Sequence, residues 1–192
     1  KTIKEKEMMF FRVGLEENIT LPPPPMDDDG EAQEVKVIVA KRSAKDVESI
    51  RNHDEEPYYA LRKFCERKKL FFHDGEFRKI CDDSVPIIIH FKNHFNRKRP
   101  FEVDKTINTL PSKTNDTRSY PSGHAAQSRL IARYIAGKFP EYERELVKAG
   151  NKCGWGRVQA GFHYPSDYEI GNLLGEKMYI FMNKADYKKE NE

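Results

Sequence analysis

Lys92 and Arg99, with Pro100 directly after, form the first of three residue groups whose types and spacing can do chemistry. Seven positions are close to two helical turns, so on a helix both side chains would leave one face roughly 10 Å apart along its axis. A planar guanidinium and a lysine point charge are a usual pair for phosphate oxygens. Taken alone, Arg97, Lys98 and Arg99 also read as a solvated basic face. The second group, Pro121-Ser122-Gly123-His124, reads as a helix start. Free amides and the positive end of the helix dipole make such a start an anion site, and Gly123 lets a ligand approach the main chain. The plain alternative is Ser122 as an ordinary N-cap with His124 on the surface. The third group joins Arg157, His163 and Asp167. A carboxylate four residues after a histidine can accept its Nδ1 proton and leave Nε2 as a free lone pair, which makes the imidazole a nucleophile. A capping Asp beside a hydrogen-bonded loop histidine is the alternative there. Together the groups describe a pocket of three cations, an amide-rich helix start and two histidines, which suits a tetrahedral oxyanion such as phosphate.

In order and spacing these residues resemble the type 2 phosphatidic acid phosphatase (PAP2) superfamily, whose pattern is KxxxxxxRP, then PSGH, then SRxxxxxHxxxD. The likeness is greatest to its soluble bacterial class A non-specific acid phosphatases, because Leu21 to Pro25 also looks like their LPPPP segment. One departure stands out: Gly156 occupies the place of the serine that opens the third motif. A hydroxyl donor is thereby missing, and the Gly156 amide is expected to contribute instead. The resemblance implies an all-α, single-domain helical bundle that hydrolyses phosphomonoesters without a metal. In that scheme His163 attacks phosphorus to form a phosphohistidine, Asp167 holds its ring, and His124 acts as general acid and then base. Lys92, Arg99 and Arg157, with the amides of Ser122 and Gly123, hold the phosphoryl oxygens. The resemblance further implies no cofactor, sensitivity to vanadate, a small phosphorylated substrate and a place outside the cytoplasm.

Three rival readings remain beside it. A vanadium haloperoxidase uses the same pocket, in chains that the family resemblance makes much longer than this one. A non-enzymatic module could present Arg97-Lys98-Arg99 to nucleic acid. His90 and His94, at i and i+4, could begin a metal site, although Phe91 breaks the HExxH zinc signature.

Composition narrows the choice. The 192 residues are 38% hydrophobic and 34% charged, with 11 Gly and 11 Pro, which excludes disordered, fibrous and low-complexity chains and leaves one packed domain. Thirty-four Lys and Arg against 31 Asp and Glu leave only +3, too balanced for a general nucleic-acid or membrane partner, so any basic function is local. The mean hydropathy of −0.82, with no apolar run near the roughly 18 residues of a membrane span, makes a soluble chain the expectation. No signal peptide is visible, although the chain begins at Lys1 rather than Met. Cys65, Cys81 and Cys153 match no metal spacing and allow at most one disulfide.

The elements that must position these groups follow from capping and periodicity. Residues 1–40 read as an irregular arm around the Leu21 to Pro25 segment, with Glu34 to Ala40 as the one alternating stretch, and residues 41–192 as the helical domain. Ser43 caps a helix carrying Val47 and Ile50, and Pro57 opens another carrying Tyr58, Leu61, Phe64 and Cys65. A third runs from about Pro86 to Lys98, since the residue before Pro100 avoids the α region. Phe101 to Tyr120 is a long polar connection of the kind that borders sites. Helices then start at Pro121-Ser122, at about Glu141, and at Pro165 after a break at Gly161 to Tyr164. Five to seven helices are expected.

Overall fold

One helix, Gly123–Lys138, runs through the middle of the molecule and is buried on nearly every side. This is a computed structural model that describes residues 8–184 and 187. Among the described residues seven helices are ten or more residues long: α1 Asp28–Ala40, α2 Ala44–His53, α3 Tyr59–Lys68, α4 Glu76–Phe95, α5 Gly123–Lys138, α6 Glu143–Gln159 and α7 Pro165–Phe181. No strand occurs among the described residues, so the bundle is all-α as expected.

The central α5 packs along α6 and α7, and α4 closes its far side. Small residues allow that close approach. A Cβ on Gly171 of α7 would lie 2.6 Å from the Ser122 carbonyl oxygen, and one on Gly154 of α6 would lie 2.9 Å from the Ala125 Cβ. Around α5 the core joins Ile80, Ile87 and Phe91 of α4 to Leu130, Ile131 and Ile135, then to Leu146, Leu174 and Met178. Burying each such side chain contributes about 1.5–3 kcal/mol. Phe10, Phe11 and Leu15 join the same core from the N-terminal side, and Tyr120 Oη donates to the Pro22 carbonyl at 2.5 Å.

Local rules account for most boundaries. Ser43 and Asp46 form a reciprocal capping box at the start of α2. Ser122 Oγ accepts the Ala125 amide to start α5, and Pro165 opens α7 at its first position. Two boundaries differ from the expectation. The stretch read as irregular with an alternating segment contains α1, because Ala32, Val35 and Val39 bury one helical stripe while Val37, which completed the apparent alternation, faces solvent. Asp27 caps that helix by accepting the Gly30 amide. Likewise α4 does not begin at Pro86; it begins ten residues earlier and runs through the proline. Phe77, Ile80, Cys81 and Ser84 continue the buried stripe of Ile87, Ile88 and Phe91, and this burial offsets the roughly 3 kcal/mol an interior proline costs.

The helix also stops short of Arg99. Phe95 is its last residue, Asn96 turns the chain in the left-handed region at φ 50°, and a one-turn helix follows at Pro100–Val103. The three cysteines are buried free thiols. Among the described residues no helix is long and apolar enough to cross a membrane.

Candidate active site

A cavity of about 240 Å³ lies where α4, α5, α6 and the break before α7 meet, and Lys92, Arg99, Gly123, His124, Arg157 and His163 all line it. The three motifs, spread over the chain from Lys92 to Asp167, thus converge on one space. Lys92 and Arg99 meet there for a different reason from shared helical phase: the turn at Asn96 folds the chain back, and both reach Thr117. Lys92 Nζ donates to Thr117 Oγ1 at 3.1 Å and to the Arg118 carbonyl at 2.7 Å. Arg99 donates through Nη2 to the same hydroxyl at 3.1 Å and through Nε to the Thr117 carbonyl at 2.8 Å. The polar connection after Phe101 therefore supplies part of the wall, as its length and composition predicted.

The three cations sit in low dielectric beside one another. Burial, then Arg99, pushes the Lys92 ammonium well below its usual range, and burial with Arg157 brings Arg99 down to about 10. Arg157 is lowered by burial as well, and its Nε has no hydrogen-bond partner. An anion entering this space would relieve all three.

His163 is held at both nitrogens. Nδ1 donates to Asp167 Oδ2 at 3.0 Å, while Nε2 accepts from Arg99 Nη1 at 3.1 Å, so Nε2 is the unprotonated nitrogen. Burial and then Arg99 hold its pKa well below the ordinary histidine range. Asp167 Oδ2 also accepts Ser119 Oγ at 2.5 Å and the Tyr164 amide at 2.9 Å, so it caps α7 and orients His163 at once. Burial pushes its carboxyl up to about 6 against these donors, leaving it ionised at neutral pH.

His124, in the first turn of α5, directs Nε2 at two main-chain carbonyls, those of Asp54 at 2.8 Å and His53 at 3.1 Å. A carbonyl only accepts, so Nε2 carries a proton and Nδ1 is left for a ligand. Burial, then Arg157, lowers this imidazole well below 6.5.

Two of the expected anion donors are otherwise engaged. The Ser122 amide donates to the Asp167 carbonyl at 3.0 Å, so of the two amides expected to face the anion only that of Gly123 is open. Gly156 lies inside α6, where its amide belongs to the helix ladder and cannot replace the missing hydroxyl. A side chain there would crowd Ile50 of α2, 3.2 Å from the Cβ position.

Arg97, which from sequence also suited one end of a basic surface, is buried and held by four acceptors, which removes the Arg97-Lys98-Arg99 patch that the nucleic-acid alternative required. It donates to Asp28 at 2.9 Å, Glu31 at 3.2 Å, Ser166 at 2.7 Å and Asp167 Oδ1 at 3.0 Å, and its guanidinium lies 3.7 Å from the centre of the Tyr164 ring. Only Lys98 of the three faces solvent. The chain is extended there, so residues two apart share a side, and that alternation is the signal that would have found it. His90 and His94 are exposed and meet the rings of Phe91 and Phe95 edge-on; among the described residues no three His, Cys, Asp or Glu side chains converge as a metal site.

The PAP2 superfamily pattern matches residues 84–190, more than half of the chain and all three motifs. The chain belongs to the PAP2 superfamily. Within PAP2 proteins it is similar to the non-specific acid phosphatase of Salmonella typhi, 37% identical over 87 residues, which are 44% of this chain and 35% of that protein. It is 30% identical to an acid phosphatase of Zymomonas mobilis over 105 residues, 53% of this chain and 40% of that one. It is 33% identical to a non-specific acid phosphatase of Providencia stuartii over 86 residues, 43% of this chain and 35% of that one. The shared stretch is thus well under half of each relative's length. Asp54, Arg157's carboxylate partner, lies outside the residues that the PAP2 pattern covers.

Proposed function

We propose that this chain hydrolyses small phosphomonoesters through a phosphohistidine on His163, without a metal. The observation that carries the reading is His163 itself: Asp167 holds Nδ1, Arg99 Nη1 donates to the unprotonated Nε2, and the ring lines a cavity that Lys92, Arg99 and Arg157 line with it. The kinship to acid phosphatases supports the same reaction class.

Binding begins with the dianion taking the three cations and the Gly123 amide as partners for its oxygens, with Arg99 Nη1 leaving Nε2 for an oxygen. Nε2 then attacks phosphorus in line as the bond to the leaving oxygen breaks, and His124 Nδ1 passes its proton to that oxygen. In the second half, neutral His124 takes a proton from water as the water oxygen attacks phosphorus. The N–P bond breaks, inorganic phosphate departs and His163 regains its lone pair. The cations and amide stabilise the charge on the equatorial oxygens throughout, the main electrostatic work in phosphoryl transfer. The bound dianion also raises the pKa of His124, which burial and cations hold low in its absence.

His163→Ala removes the nucleophile from a pocket that keeps its walls. Hydrolysis of p-nitrophenyl phosphate falls to background while the melting temperature stays within a few degrees of wild type, and vanadate at millimolar concentration inhibits the wild-type chain. A fully active His163→Ala variant would overturn the assignment.

A further inference from the structure

Asp54, just past the end of α2, touches both halves of the site through two different groups. Its main-chain carbonyl accepts Nε2–H of His124 at 2.8 Å. Its carboxylate Oδ1 accepts Arg157 Nη1 at 2.8 Å, Ser112 Oγ at 2.5 Å and Thr114 Oγ1 at 3.2 Å, and Oδ2 accepts the Lys113 amide at 2.9 Å. Four donors make this carboxylate part of the wall. It is not a swinging stand-in for the substrate.

The charges around His124 come from every side. Lys92 faces it from α4 and Arg157 from α6; His163, neutral, faces it from the break before α7, and His53, also neutral, from the end of α2. Glu55 on the cavity wall is exposed and paired with Lys113 at 3.3 Å. Arg78 and Asp82 of α4, also on the wall, are exposed, and Asp54 is the negative group that acts on His124 itself. Without Asp54 an imidazole that must take up a proton would face Arg157 and Lys92 with no negative charge opposing them. Its carbonyl and its carboxylate both raise the basicity of His124, against burial, Arg157 and Lys92.

We propose that Asp54 is the positioning residue for His124: its carbonyl reserves Nδ1 for the substrate, and its carboxylate fixes Arg157 and offsets one positive charge so that Nδ1 can hold the proton it delivers. The site then contains two His–Asp partnerships, His163 with Asp167 for attack and His124 with Asp54 for proton transfer. This rests on the phosphatase reading above.

Asp54→Asn keeps the carbonyl and the shape while removing the charge, and two substrates separate its role from general support. The p-nitrophenolate leaving group needs little protonation, whereas the alkoxide of n-butyl phosphate must receive a proton. In Asp54→Asn, kcat for n-butyl phosphate falls at least tenfold more than kcat for p-nitrophenyl phosphate, out of the roughly 10²–10⁴ that acid catalysis supplies. The limb of the pH profile that reports a protonated acid moves to lower pH. Equal losses on both substrates with an unmoved limb would overturn the proposal and leave Asp54 a structural residue. A wild-type chain that hydrolyses neither substrate would instead remove the phosphatase reading beneath it. Should the variant not fold, ¹⁵N NMR of the wild-type histidines decides: the proposal requires a proton on His124 Nε2 in the neutral ring, and an Nδ1–H tautomer overturns it.

Discussion

Replacing Arg97 with methionine tests whether this buried guanidinium, rather than the cavity residues alone, keeps the nucleophile working. Arg97 is 3.0 Å from Asp167 Oδ1, and both side chains are almost completely buried. Removing one partner of a buried ion pair costs about 3–5 kcal/mol, because the remaining charge keeps its desolvation penalty without its compensation. For a chain of this size 1 kcal/mol corresponds to about 2–4 °C, so the expected fall in melting temperature is about 6–20 °C at pH 7. The sign with pH follows from Asp167. Its folded pKa, about 6, lies above the ordinary 3.8, and Arg97 is the foremost group opposing that rise. Without Arg97 it rises further, so the deficit is largest at neutral pH and shrinks as pH falls through about 6, where the folded carboxyl becomes protonated in the variant and the wild type alike. Activity follows the same group. Protonated Asp167 cannot accept Nδ1–H of His163 in the same way, so the acid limb of kcat/KM moves up by about one unit or more. Calorimetry at pH 7 and pH 5, with kcat/KM profiles for p-nitrophenyl phosphate, reads both effects. Arg97→Lys is the informative companion, since one ammonium cannot serve the four acceptors that the guanidinium serves. A methionine variant that melts within 2 °C of wild type and keeps its acid limb would refute the reasoning.

Acid alone should destabilise the unliganded chain. His53, His124 and His163 all have folded pKa values below 6.5 through burial, so the unfolded chain binds more protons as pH falls from about 6.5, each histidine costing up to about 2 kcal/mol by pH 5. Asp167 offsets part of this below about 6; a melting temperature that is flat or rising from pH 7 to pH 5 would contradict it, and millimolar phosphate should reduce the loss by binding the folded state. Gly171→Ala places a Cβ 2.6 Å from the Ser122 carbonyl oxygen and 2.8 Å from the Ala125 Cβ. Overpacking of this kind costs about 1–3 kcal/mol, and the push on α7 moves Asp167 one turn away, so kcat should drop along with thermal stability; unchanged values for both would show that α5 and α7 separate freely.

Much of this site was legible in the sequence because its logic is local. Asp167 follows His163 by one helical turn and opens a helix after Pro165, so its two tasks, capping and orienting, follow from spacing alone. Ser122 before Gly123 and His124 announces a helix start, whereas the alternation of residues 97 to 99 becomes readable only once the chain there is known to be extended, since Arg-Lys-Arg by itself also suits a basic surface. Periodicity likewise located α2, α3, α5, α6 and α7. It failed at α1, where three valines two apart imitate a strand, and at Pro86, where tertiary burial outweighs the proline's preference for a helix start.

What the sequence by itself determined, then, is the chemistry on offer: three cations, two histidines and a carboxylate, set by capping and short spacing, in an all-helical chain. Only the tertiary structure decided which partners those groups received. Asp54 meets Arg157 across 103 positions, and Arg97 meets Asp167 across 70 and Glu31 across 66. Such pairings are fixed by how α1, α2 and α7 pack around α5 and α6, not by any neighbour in the chain. A buried charge must find a counter-charge wherever packing brings one, and no local pattern records which it will be.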